Sequence, residues 1–127
     1  MNTVPKALDH KEFFRCTPVG PFIGNHKCHQ NCLSWALRNK EKAKYIVGVG
    51  QVFKDGTMVA HFVVELNDGT FIDPSMGNLS SSYDDYLIPI EKYNIDTFHP
   101  NRELANLKDY FFSLRSFWYR LFHSNPY

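Results

Sequence analysis

Three cysteines, six histidines and thirteen acidic residues are the nucleophiles, bases and carboxylates available to this 127-residue chain. Cys28 stands out by position. It follows the turn-forming stretch Gly24-Asn25-His26-Lys27 and opens the segment 27–38, whose apolar spacing predicts a helix with Asn25 or His26 where an N-cap would sit. A thiol in the first turn of a helix meets unpaired N–H groups and the positive end of the macrodipole, which stabilise the reactive thiolate. The same N–H groups can donate to an oxyanion when a carbonyl is attacked. Cys32 lies one turn further in, away from that end; it reads as a small core residue and is the alternative nucleophile. A base and an orienting acid would complete the arrangement for acyl transfer, and His61 and Asp73 offer both.

The elements that must position these groups are strands. Segments 45–54 and 57–66 are rich in β-branched residues and flank Asp55-Gly56, a two-residue hairpin signal. Asn67-Asp68-Gly69 suits a three-residue loop, and 70–73 returns as a third strand ended by Pro74. This register pairs Phe53 with Met58, Gly50 with His61, Leu66 with Thr70 and Val63 with Asp73. His61 and Asp73 then share one face as diagonal neighbours, about 7–8 Å apart at the backbone. A two-residue second turn would send Asp73 to the other face. Gly48 and Gly50 would leave space beside the imidazole, while Val47, Val49, Phe53, Phe62, Val64 and Ile72 would form the core face. Spacing alone fits an ordinary polar pair on a half-exposed sheet equally well. Residues 75–84 read as a loop, 86–90 as a short strand and 102–123 as a long helix.

The string Lys27-Cys28-His29-Gln30-Asn31-Cys32, then Ala60-His61-Phe62-Val63-Val64-Glu65, then Asp68-Gly69-Thr70-Phe71-Ile72-Asp73-Pro74-Ser75, resembles the core of the papain-like cysteine enzyme superfamily. It is nearest to the transglutaminase-like branch and to small bacterial and phage proteins with a Cys-x-x-Asn helix start. In those families a Cys heads a helix, a His opens the second strand, and an Asp before Pro-Thr or Pro-Ser ends the third. The resemblance implies a single papain-like/transglutaminase-like domain over 1–127. Its fold would be α+β, with the nucleophile-bearing helix packed on an antiparallel sheet and a long C-terminal helix covering one side. It also implies a Cys28–His61–Asp73 triad acting as a thiol peptidase, amidase, deamidase or transglutaminase-like enzyme on a protein or peptide substrate, with no cofactor. The twelve residues from His61 to Asp73 are a shorter interval than is usual in transglutaminases, and Phe62 stands where a tryptophan is common. The resemblance therefore carries the triad rather than that particular activity. Such families often supply a second oxyanion donor from a Gln or Asn ahead of the nucleophile. Asn25 fits that role or a plain helix cap, and Gln51 falls on the core face.

Composition bounds the alternatives. A formal net charge of +1 gives no reason to expect nucleic acid as a partner, and 43% hydrophobic residues fit a globular domain. No apolar run is long enough to span a bilayer and no signal-peptide h-region follows Met1, so a cytoplasmic protein is expected. Three cysteines, Cys16, Cys28 and Cys32, argue against a disulfide framework. His26, Cys28, His29 and Cys32 form a string of zinc-type ligands, though no second cysteine pair follows downstream. The third alternative is a catalytically inactive protein-interaction module. Leu104, Leu107, Phe111, Leu114, Trp118 and Leu121 make one buried stripe on the last helix. Tyr110, Phe112, Phe117, Tyr119 and Phe122 lie off it. Either the helix wraps the sheet and is buried on more than one side, or the surplus face serves a homodimer or a membrane surface.

Overall fold

The structure, a computed structural model, describes residues 14–52, 58–80 and 86–114. Helix α1 (Cys28–Arg38) is followed by strands β1 (Ala43–Val52), β2 (Met58–Leu66), β3 (Phe71–Ile72) and β4 (Tyr86–Tyr93), then by helix α2 (Pro100–Leu114). The strands form one antiparallel sheet in the order β3-β2-β1-β4. The expected α+β class holds. The long last helix starts two residues earlier than its periodicity suggests, with Pro100 in the first turn, where a missing N–H costs nothing. Its expected continuation beyond Leu114, with Trp118, Leu121 and the aromatics around them, lies outside the described residues.

One turn follows its sequence signature. The N–H of Leu66 donates to the carbonyl of Thr70 at 2.8 Å across Asn67-Asp68-Gly69, and Gly69 takes φ +86°. The pairs Val64↔Ile72 and Glu65↔Phe71 continue that register. The first hairpin departs from expectation. Val52 pairs with Met58 and Val49 with His61, one residue away from the Gly50–His61 pairing that a two-residue turn would give. Asp55-Gly56 itself lies outside the described residues. A one-residue slip exchanges the faces of β1. Gly48 and Gly50 therefore point away from His61, toward α2. A Cβ at Gly48 would stand 3.3 Å from Leu107, and one at Gly50 would stand 3.2 Å from Phe111 and 2.5 Å from the Met58 sulfur. The two glycines make room for the last helix, not for a substrate.

The outer face of the sheet carries Ile46, Phe62, Val64 and Ile72, packed against Cys32 and Ala36 of α1 and Leu107, Tyr110 and Phe111 of α2. Among the described residues of α2, Glu103, Leu107, Tyr110 and Phe111 are buried on one continuous face, which Tyr110 widens, while Arg102, Ala105 and Asp109 on the other side are exposed. The inner face carries Val47, Val49, Val63 and Leu87 around Cys16. Phe14 exchanges backbone hydrogen bonds with Leu87 at the β4 edge (3.1 and 3.2 Å), and Thr17 donates to the carbonyl of Phe71 at the β3 edge (2.8 Å). Four extended residues reach only about 10 Å, whereas the outer strands of a flat four-stranded sheet stand about 14 Å apart. The sheet therefore curls until one short segment ties both edges. β4 is longer than expected because Ile90 bulges between the pairs Val49↔Pro89 and Gly48↔Glu91, which accommodates a proline within the strand.

Candidate active site

β3 stops after two residues while β2 runs on for nine, so the edge of β2 lies open beyond Val64. That opening brings together groups from two sides of the sheet. His61, opposite Val49, alternates onto the inner face, and Asp73 immediately follows Ile72 on the same side as Phe71. Cys28 arrives from α1 on the outer side. In β2 the even-numbered residues turn their N–H groups away from β1, as Leu66 does toward Thr70, and Phe62 accordingly directs its N–H at the Cys28 sulfur.

The His61 Nε2–H donates to Asp73 Oδ2 at 2.6 Å, with both residues buried. The Cys28 thiol is hydrogen-bonded to the same ring, for which Nδ1 is the nitrogen left free by Asp73. The second carboxylate oxygen of Asp73 accepts the N–H groups of Ser75 (2.9 Å) and Met76 (3.1 Å), so the residue both orients the imidazole and closes the turn behind it. Burial pushes the Cys28 thiol up. The hydrogen bond and positive charge of His61, with the Phe62 N–H, outweigh burial and the lesser push from Asp73, and the thiol titrates below its ordinary value. Burial alone would lower His61, yet the charge and hydrogen bond of Asp73, joined by those of Cys28, raise it to about 10. The two shifts favour a thiolate–imidazolium pair. Cys32 is sealed at 0% exposure; burial and the charges of Asp73, Cys28 and Cys16 hold it well above the thiol range, and burial followed by Asp73 does the same to Cys16.

The approach to α1 is built from side-chain amides. Lys27, not Asn25 or His26, is the N-cap, and its own N–H donates to Asn25 Oδ1 at 3.0 Å. His26 takes φ +59°, which turns the chain sharply into the helix. Asn25 is tied back onto the helix and does not line the cleft at the thiol: one of its Nδ2 hydrogens goes to Asn31 Oδ1 (3.2 Å), while Asn31 Nδ2 donates to Asn25 Oδ1 (2.9 Å) and to Ser75 Oγ (2.8 Å). The helix offers no acceptor for the N–H groups of Cys28, His29 and Gln30. Gln51, expected on the core face, shares the His61 face after the register shift and lines the cleft. Sequence reasoning missed Asn31 and Ser75 as site residues. The three-residue spacing from Cys28, which places Asn31 on the same helix side, is the signal that points to it.

An open cleft of about 390 Å³ leads to the thiol, walled by Phe22, Ile23, Val59, Ala60 and Met76. Phe22 and Ile23 are the exposed apolar residues of the strap before α1. The zinc-type string does not converge. His26 is exposed, Cys32 is sealed and His29 is hydrogen-bonded to Asn101 of α2. Among the described residues no three His, Cys, Asp or Glu side chains cluster as a metal would require, and no helix is long and apolar enough to cross a membrane. No protein-family model matches the chain, and neither a curated protein nor a solved structure matches it.

Proposed function

We propose that this chain is a cysteine-dependent acyl-transfer enzyme of papain-like or transglutaminase-like type, working in the cytoplasm on an amide or ester carbonyl of a protein or peptide. The observation that carries the reading is the buried imidazole held at 2.6 Å by Asp73 while its ring also binds the thiol at the first residue of a helix. A thiol held below its ordinary value at the foot of an open cleft favours a reacting group over an inert interaction module.

The Cys28 thiolate attacks the carbonyl carbon, and the π-electron pair moves onto oxygen. The N–H groups of the first turn of α1 stabilise that oxyanion. As the tetrahedral adduct collapses, the bond to the leaving amine or alkoxide breaks and the His61 imidazolium gives that group its proton. A thioester on Cys28 remains. Water or an amine then adds to the thioester, His61 takes the proton, and the thiolate departs. Asp73 keeps the Nε2 proton in place, so that Nδ1 performs both transfers. The cleft walls support an uncharged, largely apolar group beside the reacting carbonyl.

Para-nitrophenyl acetate tests this directly. A burst of nitrophenolate with an acetyl group on Cys28, found by mass spectrometry, supports the reading. Acetylation confined to lysines or the amino terminus, with Cys28 unmodified, removes it.

A further inference from the structure

Asn31 takes no part in the reaction just described, yet it joins the pieces that carry it. Its Nδ2 donates to Ser75 Oγ at 2.8 Å, between residues 44 apart in the chain, and to Asn25 Oδ1 at 2.9 Å. Ser75 is itself held three ways. Its N–H donates to Asp73 Oδ1 (2.9 Å), its hydroxyl accepts from Asn31, and its carbonyl accepts the N–H of Ile23 (2.8 Å). Following these bonds from the thiol gives a closed ring. Cys28 binds His61, His61 binds Asp73, Asp73 binds the Ser75 backbone, Ser75 binds Asn31, and Asn31 returns through one helical turn to Cys28. The sheet supplies one half of the ring and α1 the other. Among the described residues, the Asn31–Ser75 bond joins the halves alongside the bonds of Cys28 to the His61 ring and to the Phe62 N–H.

We propose that Asn31 is a positioning residue: its bond to Ser75 locks the start of α1 to the turn after Asp73 and so fixes the Cys28 sulfur against the His61 ring. The assignment rests on the acyl-transfer reading. The amide suits the task because its two N–H donors reach two acceptors at once while its oxygen takes a bond from Asn25. An aliphatic side chain would fill part of the space and hold neither partner. The strap bearing Phe22 and Ile23 is tied to the same turn through Ser75, so the cleft wall and the nucleophile share one anchor.

The test uses the full chain with Asn31→Ala, Ser75→Ala and the double variant. Iodoacetamide labelling of Cys28 is followed against pH by mass spectrometry, and each preparation is melted thermally. A midpoint raised by about one pH unit in each folded single variant is expected, with labelling at pH 6 about tenfold slower because less thiolate is present. The double variant should move no further than Asn31→Ala alone, since the Asn31–Ser75 bond is already gone in each single variant. Should Asn31→Ala fail to fold, Ser75→Ala, which leaves the Asn25–Asn31 pair intact, gives the same reading. Unchanged midpoints in folded variants, or additive shifts, overturn the positioning role and leave the acyl-transfer reading standing. A wild-type Cys28 labelled no faster than Cys32 overturns both.

Discussion

Asp73 performs two tasks with two oxygens, and substitutions can separate them. Asp73→Asn can keep its oxygen on the N–H groups of Ser75 and Met76 while turning an N–H donor toward His61 Nε2. That holds the imidazole in the wrong tautomer, so the variant should keep its fold, lose the stability that the Asp73–imidazolium pair supplies at neutral pH, and lose about 10⁴-fold in rate. Asp73→Ala loses the turn as well, and urea denaturation should register about 2–4 kcal/mol less stability. The pH dependence has a definite sign. His61 rises from 6.5 to about 10 on folding, so its contribution is complete below pH 6.5 and is lost as the pH climbs through 10. The rate should rise as Cys28 forms its thiolate, below the ordinary 9.0 of a thiol, and fall near pH 10 as the imidazolium donor disappears. A kcat/KM profile whose falling limb sits near 6.5 would show that Asp73 does not hold the proton.

At the scale of elements, α1 and the second hairpin were legible and the first hairpin was not. The helix matches its expected span to one residue because Cys32, Leu33 and Ala36 repeat at helical spacing. Residue type does not mark its two sides, however: Leu37 is exposed and His29 is buried. Asn67-Asp68-Gly69 gives its turn away because Gly69 alone there takes φ +86° without strain. The Asp55-Gly56 signal failed to specify register, and both faces of β1 are apolar enough that a slip leaves no mark in the pattern. His61 and Asp73 still met, because their placement depends on the second hairpin. The glycines changed meaning with the slip. Gly50→Ala should cost about 1–3 kcal/mol by driving a methyl into Met58 and Phe111, measured by thermal melts, with Cys28 labelling unchanged. Altered labelling at full stability would return Gly50 to the site.

Across the whole molecule, closure of the curled sheet by residues 14–17 was hidden from the sequence. Thr17-Pro18 and Gly20-Pro21 read locally as turn chemistry, while the bonds to Leu87 and Phe71 come from residues more than fifty positions away. Cys16 is the plug of the inner face, 6% exposed beside Val47, Val49 and Val63. Cys16→Ser should lower stability by about 1–3 kcal/mol through a poorly solvated hydroxyl, yet leave the labelling of Cys28 as it was. The three cysteines thus report on three parts of the molecule at once: inner core, outer core and site. The most direct test of the central claim is site-resolved alkylation of the native protein across pH. The thiolate–imidazolium account predicts that Cys28 reacts first, at a pH well below 9, that His61→Ala abolishes this advantage, and that Cys16 and Cys32 react only on unfolding. Equal, slow labelling of Cys28 and Cys32 at neutral pH in the folded wild type would contradict it.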